Sequence, residues 1–270
     1  MIKIYYANVA DFEKKCIVSD NEIFSCMVEK VNKQRRNKIL RCKNEKDKLR
    51  SLIAGLLLRF ALEQEGIDYE KSEFIYGEHG KPMLLHYKYM EEAMDIRKSS
   101  KKVFFSLTHS QDGVACAISD ENIGIDLEQT NRTLFSKDRQ EQLLSMVKRI
   151  CTQRECVYFS NLPKEKRIKA YVELWTRKES FAKADGRGMA IGFGKVEVLD
   201  DGLFSCKTSC ELTDMKEKVK KAEGIGSFFT CWISEDTCMS IYSSSKGEHI
   251  ADYVYVNAEQ IIRRREISNV

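Results

Sequence analysis

An α+β fold follows from three features of the sequence. Apolar runs of strand length crowd together between residues 103 and 127. Long helical periodicities stand on either side of them, over 44–66 and 164–184. The two kinds of element are mixed without the strict alternation that marks a parallel α/β sheet. At 270 residues and 43% hydrophobic content, the chain can bury a sizeable core, as one large domain or two smaller lobes.

Taken in order, residues 2–6 alternate as a strand. Asn44 is placed to cap a helix running to Gly66, on which Leu49, Leu52, Ile53, Leu56 and Phe60 recur at helical spacing. Phe74 to Tyr76 forms a short strand before the turn-rich stretch Gly77 to Pro82. Residues 84–102 are charged and predict an exposed excursion. Val103–Leu107, Val114–Ile118 and Ile123–Leu127 follow with turn residues between them, which predicts an antiparallel meander. Helical patterns come next near 136–151 and 164–184. The remainder is strand-like, with turns at Asp200-Asp201-Gly202 and from Ser244 to Gly247. Pro82 and Pro163 are the only prolines and no low-complexity linker interrupts the chain, so any two lobes pack closely.

Composition narrows the function. Lys and Arg number 45 against 41 Asp and Glu, an excess too small to mark a nucleic-acid binder by itself. The basic clusters Lys33–Lys38 and Arg263–Arg265 read as solvated helix faces. Ten cysteines are scattered without a Cys-x-x-Cys pair, and four histidines have no ligand spacing to them, which argues for reduced thiols and against zinc. The opening residues lack a secretion signal and no run of 18 apolar residues occurs, so a cytoplasmic protein that does not enter a membrane is expected.

Three constellations carry chemistry. In Gly124-Ile125-Asp126-Leu127-Glu128, strand alternation sends Asp126 and Glu128 to one face and Ile125 and Leu127 to the core. Two carboxylates on one face repel unless a cation lies between them, and hard oxygen ligands suit magnesium. Read alone, however, the five residues fit an exposed strand face better. In Trp175 to Lys183, Glu179 falls four residues after Trp175, on the stripe shared by Ile168, Val172 and Ala182. A carboxylate there is costly unless paired or metal-bound, and Lys183 lies one turn further on the same face. Ala184 to Gly188 ends the helix with glycines suited to a turn. Thr108-His109-Ser110, at a strand end, offers hydroxyl and imidazole donors to a phosphate; no Gly-x-Ser-x-Gly elbow accompanies it.

With these motifs in this order, the chain resembles the Sfp-type 4′-phosphopantetheinyl transferases, which carry Gly-[Ile/Val]-Asp-[Ile/Leu]-Glu followed by Trp-x-x-Lys-Glu-[Ala/Ser]-x-x-Lys. The likeness also takes in Gly80-Lys81-Pro82, the basic segment from Arg35 to Arg50 and the region Asn257 to Gln260. The resemblance implies two similar lobes in pseudo-twofold arrangement, divided as 1–120 and 121–270, with coenzyme A in the cleft between them. It implies Mg2+ on Asp126, Glu128 and Glu179, with Lys183 neutralising the pyrophosphate. It further implies that Lys81, Thr108 and His109 contact coenzyme A phosphates, and that Arg35, Lys38 and Arg50 surround the 3′-phosphate. The partner would be an apo acyl or peptidyl carrier protein, and the enzyme a monomer. Glu179, directly or through a water, would take the proton of the carrier serine. Thr108 stands where the family commonly has serine, and Arg35 where it often has lysine; both keep the donor.

Two other readings compete. A metal-dependent nuclease also uses Asp-x-Glu with a later glutamate and lysine, although at two-residue spacing on a strand. A basic nucleic-acid-binding module built on Lys33–Lys38 would lack the interleaved aromatics that stack on single strands. Between the metal strand and the catalytic helix, Lys148 and Arg149 stand beside Leu143, Leu144, Met146 and Val147. That pattern fits either an acidic partner's docking face or a helix whose apolar side faces the core.

Overall fold

The computed structural model describes residues 1–15, 21–85, 102–130, 140–199, 220–222, 226–245 and 250–262. Most of the charged excursion, the turn at 200–202 and Arg263–Arg265 lie outside the described residues. The strands are β1 (Ile2–Asn8), β2 (Phe74–Tyr76), β3 (Pro82–Leu84), β4 (Phe104–His109), β5 (Gly113–Ser119), β6 (Ile123–Gln129), β7 (Lys220–Ala222), β8 (Gly226–Trp232), β9 (Thr237–Ser243) and β10 (Ile250–Tyr255). The helices are α1 (Val9–Glu13), α2 (Asn21–Glu29), α3 (Lys33–Arg41), α4 (Glu45–Gln64), α5 (Gln140–Ile150), α6 (Gln153–Asn161), α7 (Arg167–Asp185) and α8 (Ala258–Ile262). The mixture without strict alternation is α+β, as the sequence predicts.

Two four-stranded sheets dominate, ordered β10-β1-β5-β4 and β6-β9-β8-β7. Their facing sides share one apolar layer in which Ile4, Ala115 and Ala117 of the first meet Ile125, Leu127, Met239 and Ile241 of the second. The period of two in β5 sends Val114, Cys116 and Ile118 the other way, against Leu52 and Leu56 of α4. Likewise Trp232 and Cys238 of the second sheet meet Val172 and Leu174 of α7. Helices therefore cover the outer faces, and the sheets bury their inner faces against each other.

The expected meander holds for β4 and β5, which pair antiparallel, but β6 leaves it and pairs with β9 in the second sheet. Hydroxyls explain how the break is tolerated. Ile125 N donates to Ser106 Oγ at 3.1 Å and Leu127 N to Thr108 Oγ1 at 3.3 Å, so side chains of β4 satisfy buried amides that a backbone ladder would otherwise pair. The division at residue 120 does not follow sheet membership at its far end, because β10 lies parallel to β1 in the first sheet.

Local signals set the helices that matter here. The Asn44 side chain accepts from the amides of Lys46 and Asp47 to start α4, and Gly66, at φ 75°, follows its end. α6 is not apparent from periodicity; it begins with a capping box in which Thr152 and Glu155 satisfy each other's backbone amides. α7 stops at Gly186, whose φ of 92° closes the helix in the left-handed region. Gly124 has a different purpose. A Cβ there would lie 1.9 Å from the Ser180 carbonyl oxygen, so the missing side chain lets α7 rest directly on β6. Seven described cysteines are free thiols, and Cys116, Cys151 and Cys238 among them fill core space. No described helix is long and apolar enough to cross a membrane.

Candidate active site

A cleft of about 440 Å³ opens where the edge strands β4 and β6 meet, walled by α3, α7 and the loop before β3. Nine of the ten residues singled out in the sequence line it: Arg35, Lys38, Lys81, Thr108, His109, Asp126, Glu128, Glu179 and Lys183. Arg50 is the exception. Its guanidinium donates to the Gln111 carbonyl at 3.2 Å and pairs with Asp47 at 2.5 Å, yet its charge is still felt at His109.

β6 and α7 supply the acidic end. Ile125 and Leu127 are core residues, so alternation turns Asp126 and Glu128 toward the cleft, where both are buried rather than on an exposed strand face. Lys183 Nζ donates to Asp126 Oδ1 at 2.7 Å and to the Ile125 carbonyl at 3.0 Å. Thr108 Oγ1 donates to the same Asp126 oxygen at 3.1 Å. Burial nevertheless wins over these contacts and raises the Asp126 pKa. Glu179, half-buried on α7, is pushed up to about 7, first by burial, then by the Asp126 charge, with Glu128 adding to it and Lys183 opposing. Glu128 accepts from the amide of Gln129 at 2.9 Å.

The cationic end comes from α3 and its surroundings. Arg35 reaches the cleft because Gly55 of α4 makes room: a Cβ there would lie 2.9 Å from Arg35 Cγ and 2.7 Å from Val31 Cγ1. Burial depresses the Arg35 pKa. His109 is held down at about 4, first by the protein packed around the ring, then by Lys183, Lys38, Arg50 and Arg35. Two predicted phosphate donors are engaged within the protein. The hydroxyl of Thr108 points its proton at Asp126. The Lys81 ammonium donates to the Ala184 carbonyl at 2.6 Å and to Asn122 Oδ1 at 3.0 Å, and burial lowers its pKa to about 8.

Known proteins share part of this sequence. Residues 122–226, which include β6 and α7, match the model of the 4′-phosphopantetheinyl transferase superfamily. The 4′-phosphopantetheinyl transferase gsp of Aneurinibacillus migulanus is 28% identical over 173 residues, 64% of this chain and 63% of that one. HetI of Nostoc sp. is 32% identical over 143 residues, 53% and 50% of the two chains. Sfp of Bacillus subtilis is 25% identical over 198 residues, 72% and 75% of the two chains. Over residues 122–226 this chain is similar to the 4′-phosphopantetheinyl transferase superfamily. The match spans between half and just under two thirds of the length of the gsp and HetI relatives.

Whether a metal fits the cleft depends on its residues. Among the described residues, no three carboxylate, imidazole or thiol groups converge closely enough to enclose an ion. The donor set still fits a hard divalent cation. Three carboxylates line one cleft, and the Asp126 charge hinders ionisation of Glu179, a repulsion that a cation relieves.

Sequence reasoning missed the support beneath this site. Lys178, one residue before Glu179, is fully buried and pairs at 2.7 Å with the equally buried Glu155 of α6. Its ammonium also donates to the Phe193 carbonyl at 3.0 Å and to that of Val196, while Glu155 accepts from Val198 N at 2.8 Å. One satisfied pair thus ties α6, α7 and the 193–198 stretch together, and Phe193 packs edge-on against Trp175. The readable signal is Thr152-x-x-Glu155, which announces α6. On α5, Leu143 and Val147 are core residues, with Leu144, Met146 and Ile150 packed against the same cluster. The apolar side of that helix therefore faces inward, and Lys148 and Arg149 lie exposed on its other side.

Proposed function

We propose that this protein transfers 4′-phosphopantetheine from coenzyme A to a serine of an apo acyl or peptidyl carrier protein, in a magnesium-dependent reaction that releases 3′,5′-ADP. The observation that carries the reading is the cleft itself, in which three carboxylates and a set of cations face one another across the meeting edges of two sheets. Phosphoryl transfer asks mainly for alignment and charge stabilisation, and this arrangement offers both. Relatives that bear the transferase name support the same assignment.

In this reading Asp126, Glu128 and Glu179 hold magnesium, which when bound supplies positive charge at the pyrophosphate. Lys183 is a point charge beside the same oxygens, and Arg35 and Lys38 meet the 3′-phosphate, with Arg50 behind them. His109 donates to a coenzyme A phosphate. Lys81 and Thr108 join it once they exchange their present partners for phosphate oxygens. The carrier serine Oγ forms a bond to the β-phosphorus as the bond to the bridging oxygen breaks. The serine proton goes to Glu179, and 3′,5′-ADP departs. The two-lobe description, with β10 returned to the first lobe, and a monomeric cytoplasmic enzyme belong to the same proposal.

The test is incubation with coenzyme A, magnesium and an apo carrier protein, read by intact mass. A gain of one phosphopantetheine on the carrier is the expected result. No gain with fatty-acid, polyketide and peptide carriers alike would overturn the reading. Magnesium-dependent cleavage of DNA or RNA would restore the nuclease alternative.

A further inference from the structure

We infer that Ser110 is a positioning residue for Glu128, taking over a buried backbone amide when the Glu128 carboxylate turns to a cation; this rests on the metal role given to Glu128 above. The inference starts from a register. Ser106, Thr108 and Ser110 recur at the strand period on β4 and just beyond it. Opposite them, the amides of Ile125 and Leu127 donate to the first two hydroxyls, at 3.1 and 3.3 Å. Continued past the end of β4, the same step of two points Ser110 toward the amide of Gln129. Among the described residues, that third rung is not made.

Two facts about the break belong together. The amide of Gln129 is bonded at 2.9 Å to Oε1 of Glu128, its immediate neighbour in the chain. The Ser110 hydroxyl, on a residue 9% exposed, has no hydrogen-bond partner among the described residues. An unpartnered buried hydroxyl is costly, so its presence calls for a reason. The Gln129 side chain is held through its amide nitrogen, which donates to Asp112 Oδ2 at 2.9 Å and to Thr237 Oγ1 at 3.2 Å, while its buried Oε1 has no hydrogen-bond partner among the described residues. The strand end is thereby held in register with Ser110 whether or not the rung is closed.

A cation taken by Oε1 of Glu128 competes with the Gln129 amide for that oxygen. When the carboxylate turns to a cation, the buried Gln129 amide needs another acceptor, and the Ser110 hydroxyl is the one that the register supplies. The serine then completes the ladder, and the cost of freeing Glu128 falls. A seryl or threonyl hydroxyl at 110 performs this role equally well, whereas alanine does not.

The test uses the full-length protein and magnesium, titrated alone and with coenzyme A but without carrier. Cation affinity is read by calorimetry and the Gln129 amide by ¹H–¹⁵N NMR. In the wild type, the Gln129 amide resonance shifts as magnesium binds. Ser110→Ala weakens magnesium binding by about 2- to 10-fold, the range of one ordinary hydrogen bond, while Ser110→Thr restores it. Glu128→Gln serves as the control for the underlying reading. If Glu128→Gln loses affinity but Ser110→Ala binds as wild type with an unmoved Gln129 resonance, the inference about Ser110 is wrong and the metal role of Glu128 stands. If Glu128→Gln itself binds magnesium normally, or the wild type binds none, the metal role fails and the inference goes with it.

Discussion

α4 and α7 are long helices that each back one sheet, and they do so with opposite chemistry. α4 buries Leu52, Ile53, Leu56, Leu57 and Phe60, an apolar surface with almost nothing to satisfy. α7 buries Glu173, Thr176, Lys178 and Ser180 alongside its apolar residues, and each of these four is hydrogen-bonded. Polar burial is tolerated on α7 because every group has a partner, and the result is a helix whose rotation about its axis is fixed by directional bonds. That is the helix from which Glu179 and Lys183 reach the cleft. α4 supports by filling space; α7 supports by specifying geometry.

The comparison breaks most severely at Lys178. Lys178→Ala leaves Glu155 buried without its counter-ion and should destabilise the fold by about 3–5 kcal/mol in denaturant unfolding. Replacing both partners, Lys178→Met with Glu155→Leu, should recover most of that loss. If the recovered protein also keeps full activity, the directional bonds are dispensable and α7 is no different from α4. On α4, Leu56→Ala should cost about 2–5 kcal/mol through a cavity, with no polar partner able to rescue it.

Two glycines test how closely each helix must approach. Gly124→Ala forces a methyl group to within 1.9 Å of the Ser180 carbonyl oxygen, and backbone on both sides leaves little room to yield. A loss of about 3 kcal/mol is expected, toward the upper end for overpacking. At Gly55 the obstructing atoms are Val31 Cγ1 and Arg35 Cγ, side chain rather than backbone, so Gly55→Ala should cost less, about 1–2 kcal/mol, offset in part by better helix propensity. Equal losses by thermal or denaturant melting would mean that α7 can back away from β6 as readily as α3 from α4.

Glu179 gives a smaller effect with an instructive sign. Its pKa of about 7 in the folded protein lies above the ordinary 4.5, so the folded state prefers the protonated form. The corresponding stability is fully present below about pH 4.5 and is lost as pH rises through 7. In metal-free protein at pH 8, Glu179→Gln should therefore be more stable than wild type, on the order of 1–2 kcal/mol, even as transfer activity disappears. Magnesium should remove the difference by favouring the carboxylate. A variant less stable than wild type at pH 8 would show that Glu179 is an integral part of the core.

Much of this was legible in the sequence, for identifiable reasons. Strand alternation placed Asp126 and Glu128 together, and helical spacing placed Glu179 and Lys183 together, because both are local rules. Asn44 announced α4 through its cap, and Gly186 announced the end of α7. What stayed hidden was long-range. Nothing near β6 in sequence says that its partner is β9, more than a hundred residues later, or that Ser106 and Thr108 would bridge the break. Lys178 stood in plain view within the motif, but its partner Glu155 lies on a separate helix, and burial of the pair is a property of packing that no window of sequence contains. Lys81 and Thr108 illustrate the converse: their residue types suit a phosphate, while the fold has already given their donors other employment.

The finest comparison uses His109, which senses cations from both halves of the cleft. Its pKa of about 4 lies below the ordinary 6.5, so folding favours the neutral ring; that stability is fully present above about pH 6.5 and declines as pH falls toward 4. Lys183 on α7 contributes the largest charge effect, ahead of Lys38, Arg50 and Arg35 from the α3–α4 side. Titrating the His109 ring by NMR should accordingly show a larger upward shift in Lys183→Ala than in Arg50→Ala. Adding 3′,5′-ADP should raise it as well, since phosphate anions neutralise the same cations. The two effects separate the halves: if the nucleotide moves His109 in Lys183→Ala but not in a variant lacking Arg35 and Lys38, the phosphates sit against α3. If the dependence is reversed, α7 holds them, and the assignment of the basic helix to the 3′-phosphate has to be abandoned.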